Sequence, residues 1–142
     1  MSLTRSLLFI THDAASKAVA AALEAAKARN VAVVAAVVDG GGQLVALGRA
    51  DGAFVASIEI ARDKAYTAAV FGAPTDALAK GLSHSQVLLD GIARRPHVVL
   101  FGGGLPVRQE GAVVGGIGVS GGSEEDDRVC ATAGLQAIGI EA

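Results

Sequence analysis

The sequence predicts an α/β fold in which a central antiparallel sheet of about five strands is flanked by helices. Three observations lead there. Residues 31–38 form a β-branched run without polar alternation, the pattern of a strand covered on both faces. Asp39-Gly40-Gly41-Gly42 then supplies positive-φ positions for a tight reversal, so residues 43–48 read as the returning strand of a hairpin. The same device recurs near the end of the chain, where Glu110-Gly111 separates residues 105–109 from the glycine-interrupted apolar run 112–119. Consecutive hairpins make antiparallel neighbours, and the stretches between them carry helical periodicity.

Taken in order, Thr11 precedes His12, Asp13 and an Ala-rich stretch to about residue 29, a helix start with a carboxylate in its first turn. Val19, Leu23 and Ala26 give it one apolar stripe, and Asn30 ends it. After the first hairpin, the polar connection from Arg49 to Ala53 leads into a second helix over residues 55–71, with Ile58, Ala61 and Ala65 on one face. Pro74 opens a short helix to about residue 80, where its missing N–H is tolerated, and another helical piece covers residues 83–93. Residues 97–101 read as a short apolar strand after Pro96, followed by the second hairpin. Ser120 to Ser123 opens the last helix, with Glu124, Glu125, Asp126 and Asp127 crowded where the macrodipole favours carboxylates.

Composition narrows the function classes. At 142 residues the chain suits one domain able to bury a core without disulfides or metal staples. No uninterrupted apolar span approaches the length of a membrane helix, and the apolar run at Leu7 to Ile10 gives way to Thr11, His12 and Asp13 where a signal-peptide core should continue. A cytoplasmic protein is expected. The single cysteine, Cys130, excludes an internal disulfide or a Cys-cluster metal site and reads as a small core residue. A net charge of −2, with four Phe and one Tyr, offers nucleic acid neither a basic patch nor a stacking platform.

Four segments then carry a resemblance. They are the run from Val37 to Ala46 (Val-Val-Asp-Gly-Gly-Gly-Gln-Leu-Val-Ala), Arg49-Ala50-Asp51-Gly52-Ala53, the run from Ala61 to Ala69 (Ala-Arg-Asp-Lys-Ala-Tyr-Thr-Ala-Ala), and Gly103-Gly104-Leu105-Pro106 through Gly115-Gly116-Ile117-Gly118-Val119-Ser120-Gly121-Gly122. With Asp127 and Gly134-Leu135, they resemble, in order, the GlcG/HbpS family, which is also the C-terminal domain of PduO-type proteins. The resemblance implies a profilin-like or PAS-like sandwich, assembly into homo-oligomers, and a haem or tetrapyrrole ligand, since the family has haem-binding, haem-sensing and tetrapyrrole-linked members.

The polar residues allow several chemistries. The glycine runs lack the Lys-Ser/Thr pair of a phosphate loop and read instead as close backbone approach or as the floor of a pocket. Arg49, Asp51 and Lys64 are expected to converge at one sheet edge, either forking a carboxylate or forming an ion-pair network. Arg49 and Lys64 are further expected to line an anion-accepting pocket with backbone groups near Gly103 and Gly121, at the start of the last helix. Lys64, Asp51 and Glu125 are the candidates for acid/base work in a cofactor-independent enzyme of small organic-acid metabolism. An oligomeric accessory subunit without small-molecule chemistry is a third class. For haem, His12, His84 and His97 are the available imidazoles. His84, between two serines on an amphipathic segment, is preferred as axial ligand over His12 at a helix start and His97 in a strand. No metal site other than haem iron is expected.

Overall fold

Thr11 accepts the Ala14 N–H on its side chain and starts α1 (His12–Ala28), which ends where Asn30 takes a left-handed φ of 61°. A computed structural model describes residues 1–141. The chain continues through β1 (Val34–Asp39), β2 (Leu44–Arg49), α2 (Ala56–Phe71), α3 (Thr75–Leu82), α4 (Gln86–Ala93), β3 (Gly104–Gln109), β4 (Ala112–Ser120) and α5 (Glu124–Ala137). The strands form one antiparallel sheet in the order β2-β1-β4-β3. The run read as a doubly covered strand is indeed central, and Val34 to Val38 are fully buried.

Alternation along β1 sorts the core into two layers. Val33, Ala35 and Val37 pack with α1 and α5, alongside Ile117, Val119, Cys130 and Leu135. Val34, Ala36 and Val38 face Ala61, Ala65 and Ala69 of α2, with Ala53 from the connection before it. The glycines of β4 set how close α2 can come: a Cβ on Gly116 or Gly118 would fall on the Ala65 or Ala61 carbonyl. Those positions are therefore where a helix backbone presses against a strand, one of the two roles read from the sequence.

Among the described residues the sheet has four strands rather than about five. Residues 97–101 form no ladder, because side chains take the backbone groups a neighbouring strand would have taken. The Thr67 hydroxyl accepts the Val99 N–H at 3.0 Å and lies 3.0 Å from the His97 carbonyl, while the Thr75 hydroxyl donates to the Phe101 carbonyl at 2.6 Å. An apolar, β-branched segment with its hydrogen bonds so satisfied runs along α2 as an irregular strap.

Candidate functional site

Two clefts flank α2, and neighbouring residues of that helix reach into them. Ser57, Ala61 and Lys64 lie four and three residues apart on the buried face of α2. Lys64 is 1% exposed although it carries an ammonium. Its Nζ donates to the Val119 carbonyl at 2.8 Å and to Asp127 Oδ2 at 3.1 Å, and sits 5.0 Å from the Phe101 ring centroid. Gly103 makes the room, since a Cβ there would lie 2.7 Å from Nζ. Asp127, also buried, accepts the Gly122 N–H at 3.0 Å through its other oxygen. Burial pushes the Lys64 ammonium below its ordinary range and the Asp127 carboxyl above its own, each opposed by the partner's charge. Above this pair opens a cleft of about 310 Å³ whose walls include Phe54, Ile60, Ser120, Gly121 and Glu124.

The cleft's donors are already engaged. At the start of α5 the Gly122 N–H goes to Asp127 and the Ser123 N–H to Asp126 Oδ2, while the Ser123 hydroxyl caps the Asp126 N–H. Asp127 thus stands where an external carboxylate would have been held, and Glu124 adds a second negative group to the wall.

The structure gathers Lys64, Gly103 and Gly121 as the sequence suggested, but not the rest of the expected set. Arg49 is exposed at the end of the edge strand β2, opposite Val34, which in turn pairs with Ser120. It therefore shares the sheet face of α2 but does not line the Lys64 cleft. Asp51 lies in a turn beside Leu23 and Lys27 of α1, so Arg49, Asp51 and Lys64 do not converge. Glu125 is exposed on the first turn of α5. His84 is exposed in the turn between α3 and α4, not on a helix, and its Nδ1 is 2.9 Å from the Gly81 carbonyl. His12 is exposed, with Nε2 3.2 Å from the Ser16 hydroxyl.

The second cleft holds what the sequence reading set aside. His97 begins no strand; it occupies a turn at φ 68° with its Nδ1 3.0 Å from Asp63 Oδ1. It borders a cavity of about 420 Å³ walled by Tyr66, Val70, Phe71, Ile92 and Val98, with Arg95 alongside. Sequence reasoning also missed Asp127 as the partner of Lys64. A signal was present: Asp127, Cys130, Ala131, Gly134 and Leu135 fall on one helical stripe, and all five are buried.

A four-stranded antiparallel sheet covered by helices on both faces, with open clefts on either side of α2, defines a small α/β sandwich with room for a ligand at its edge. The family model described as haem degrading protein HbpS-like matches residues 10–136, so the chain belongs to the HbpS-like family. Among solved structures it is similar to Klebsiella pneumoniae protein ORFY, 34% identical with a TM-score of 0.92 over 100% of this chain and 99% of that one. A double mutant of HbpS from Streptomyces reticuli is 41% identical, with a TM-score of 0.84 over 94% of this chain and 89% of that one. A PduOC:haem complex is 30% identical, with a TM-score of 0.83 over 92% of this chain and 95% of that one.

A haem site needs an axial donor, apolar walls for the macrocycle and a cation for the propionates. The Lys64 cleft offers no imidazole and carries two carboxylates, so it does not fit. The His97 cleft brings an imidazole, apolar walls and a guanidinium together, and it does.

Proposed function

We propose that this protein binds haem or a related tetrapyrrole as an accessory or sensing protein. The observation that carries the reading is the haem complex of a relative that aligns with 92% of this chain. Membership of a family described by haem degradation supports it. When bound, haem supplies a redox-active iron; the chain's part is to donate a ligand, shelter the ring and neutralise the propionates.

The organic-acid enzyme is not favoured by the geometry. It requires a Lys64 amine free to move a proton, whereas Nζ is directed at a carbonyl, a carboxylate and an aromatic face. Asp51 stands apart from it. A homo-oligomer belongs to the same proposal: α4 buries none of its residues and leaves Val87 85% exposed, an apolar surface suited to a second copy.

Titration of purified protein with ferric haem tests the proposal. Saturable growth of a Soret band distinct from that of free haem is expected, with micromolar or tighter affinity, about −8 kcal/mol or better. Absorbance that rises linearly and matches free haem would overturn it.

A further inference from the structure

We infer that His97 is the residue that donates to the haem iron, and that the cavity between α2 and residues 92–98, where the chain enters the strap, receives the macrocycle. The inference rests on the haem-binding reading above and assigns its site.

The cavity follows from the periodicity of α2. Asp63, Tyr66 and Val70 are three and four residues apart, so they form one stripe along the helix edge that faces the strap. Thr67, next to that stripe, anchors the strap by its hydroxyl contacts with His97 and Val99. The anchoring holds His97 in the left-handed region, at φ 68°, where a residue other than glycine is uncommon. Asn30 at φ 61° and Glu110 at φ 52° share this conformation at turns, so what distinguishes His97 is the surroundings of its side chain.

The side chain is oriented on one side and open on the other. A carboxylate only accepts, so in the neutral imidazole the 3.0 Å contact with Asp63 puts the proton on Nδ1 and the lone pair on Nε2. The ring is also steadied edge-to-face by Tyr66, at 5.8 Å between centroids. An imidazole whose Nδ1–H is held by a carboxylate is the arrangement that fixes the tautomer and raises the basicity of a metal-binding histidine. The imidazole side chain is 66% exposed, so an incoming ligand can reach it.

The walls suit a flat apolar ring with charged edges. Val70 and Phe71 are each left 41% exposed although they line the same cavity, and Ile92, Pro96 and Val98 complete it. Arg95 lies alongside, in reach of a carboxylate edge. The other two imidazoles lack these surroundings: His84 is turned to the Gly81 carbonyl and His12 to Ser16, and neither borders the cavity.

The test is a ferric haem titration of wild type beside His97→Gly, Asp63→Asn, His84→Ala and His12→Ala, with folding verified by circular dichroism. Glycine suits the positive φ at position 97, so that variant should keep the fold. His97→Gly is expected to weaken binding by more than about tenfold and to move the Soret maximum, since it removes the ligand rather than its support. Asp63→Asn should retain the maximum with affinity lower by about tenfold, the usual scale for a residue supporting a metal ligand. His84→Ala and His12→Ala should match wild type. If wild type binds and His97→Gly keeps its maximum and affinity, or if either of the other histidine variants loses them, the assignment of His97 is overturned and the haem reading stands. If wild type shows no saturable binding, the haem reading itself falls and takes the assignment with it.

Discussion

Asp63 and Lys64 are adjacent on α2, yet the helix sends them to opposite kinds of surroundings. Lys64 turns inward, where its Nζ donates to Val119 and Asp127 beside the Phe101 ring and almost no surface is left to solvent. Asp63 turns along the helix edge and orients His97, which keeps one nitrogen open beside an apolar cavity. The sequence makes the lysine look like the functional group, because a charged residue on an apolar helix face is conspicuous. The structure teaches the reverse. A polar group whose partners all lie inside the protein fastens the architecture, and a group met on one side only is available for a ligand.

The largest effect that would sharpen this contrast is on stability. Lys64→Ala leaves the Asp127 carboxylate buried without its cation and the Val119 carbonyl without its donor, so the unfolding free energy should fall by about 3–5 kcal/mol. Replacing both partners, as Lys64→Met with Asp127→Asn, should recover much of that loss and leave haem affinity unchanged. Urea denaturation of the three proteins provides the check. A loss below about 1 kcal/mol in Lys64→Ala would mean that the pair does not fasten the fold, the range typical of exposed pairs.

A smaller effect is expected behind the same pair, at Cys130. The thiol is fully buried, and burial first, then the Asp127 charge, pushes its pKa from 9.0 up to about 11. Below pH 9.0 the folded and unfolded chains both hold the proton; between 9.0 and about 11 only the folded chain does. Stability contributed by the protonated thiol is thus lost as pH rises through that window, on the order of 2 kcal/mol in total. Lys64, whose pKa is lowered, contributes the opposite slope in alkaline solution, so the comparison must be wild type against Cys130→Ala. The wild type should lose more stability than the variant between pH 9 and 11, by denaturant midpoints. Equal losses would show that the thiol is not shielded as its position implies.

Much of the framework was legible because local signals agreed with the global packing. Thr11 caps α1, Ser120 to Ser123 leads into α5, Asp39 to Gly42 makes the hairpin, and Gly116 and Gly118 mark close approach of a backbone. The extra strand was misread because residues 97–101 have strand composition while their hydrogen bonds depend on Thr67 and Thr75, remote hydroxyls that no local pattern announces. The site was less legible for the same reason. Lys64 and Asp127 are 63 residues apart, as are Ser57 and Ser120, and His97 meets Asp63 across 34 residues. Four acids in a row at Glu124 to Asp127 read as helix-end charge; only the phase of α5 separates the buried Asp127 from the exposed Glu125.

The most direct measurement of the central claim is a map of where haem sits, made without mutating anything. Ferric iron broadens nearby amide signals, so backbone NMR spectra recorded as ferric haem is added report its location residue by residue. Broadening should centre on residues 63–71 of α2 and on residues 92–98, leaving the signals of residues 121–127 beside Lys64 sharp. Broadening centred on residues 121–127, or around His84 or His12 with the His97 region unaffected, would contradict the account.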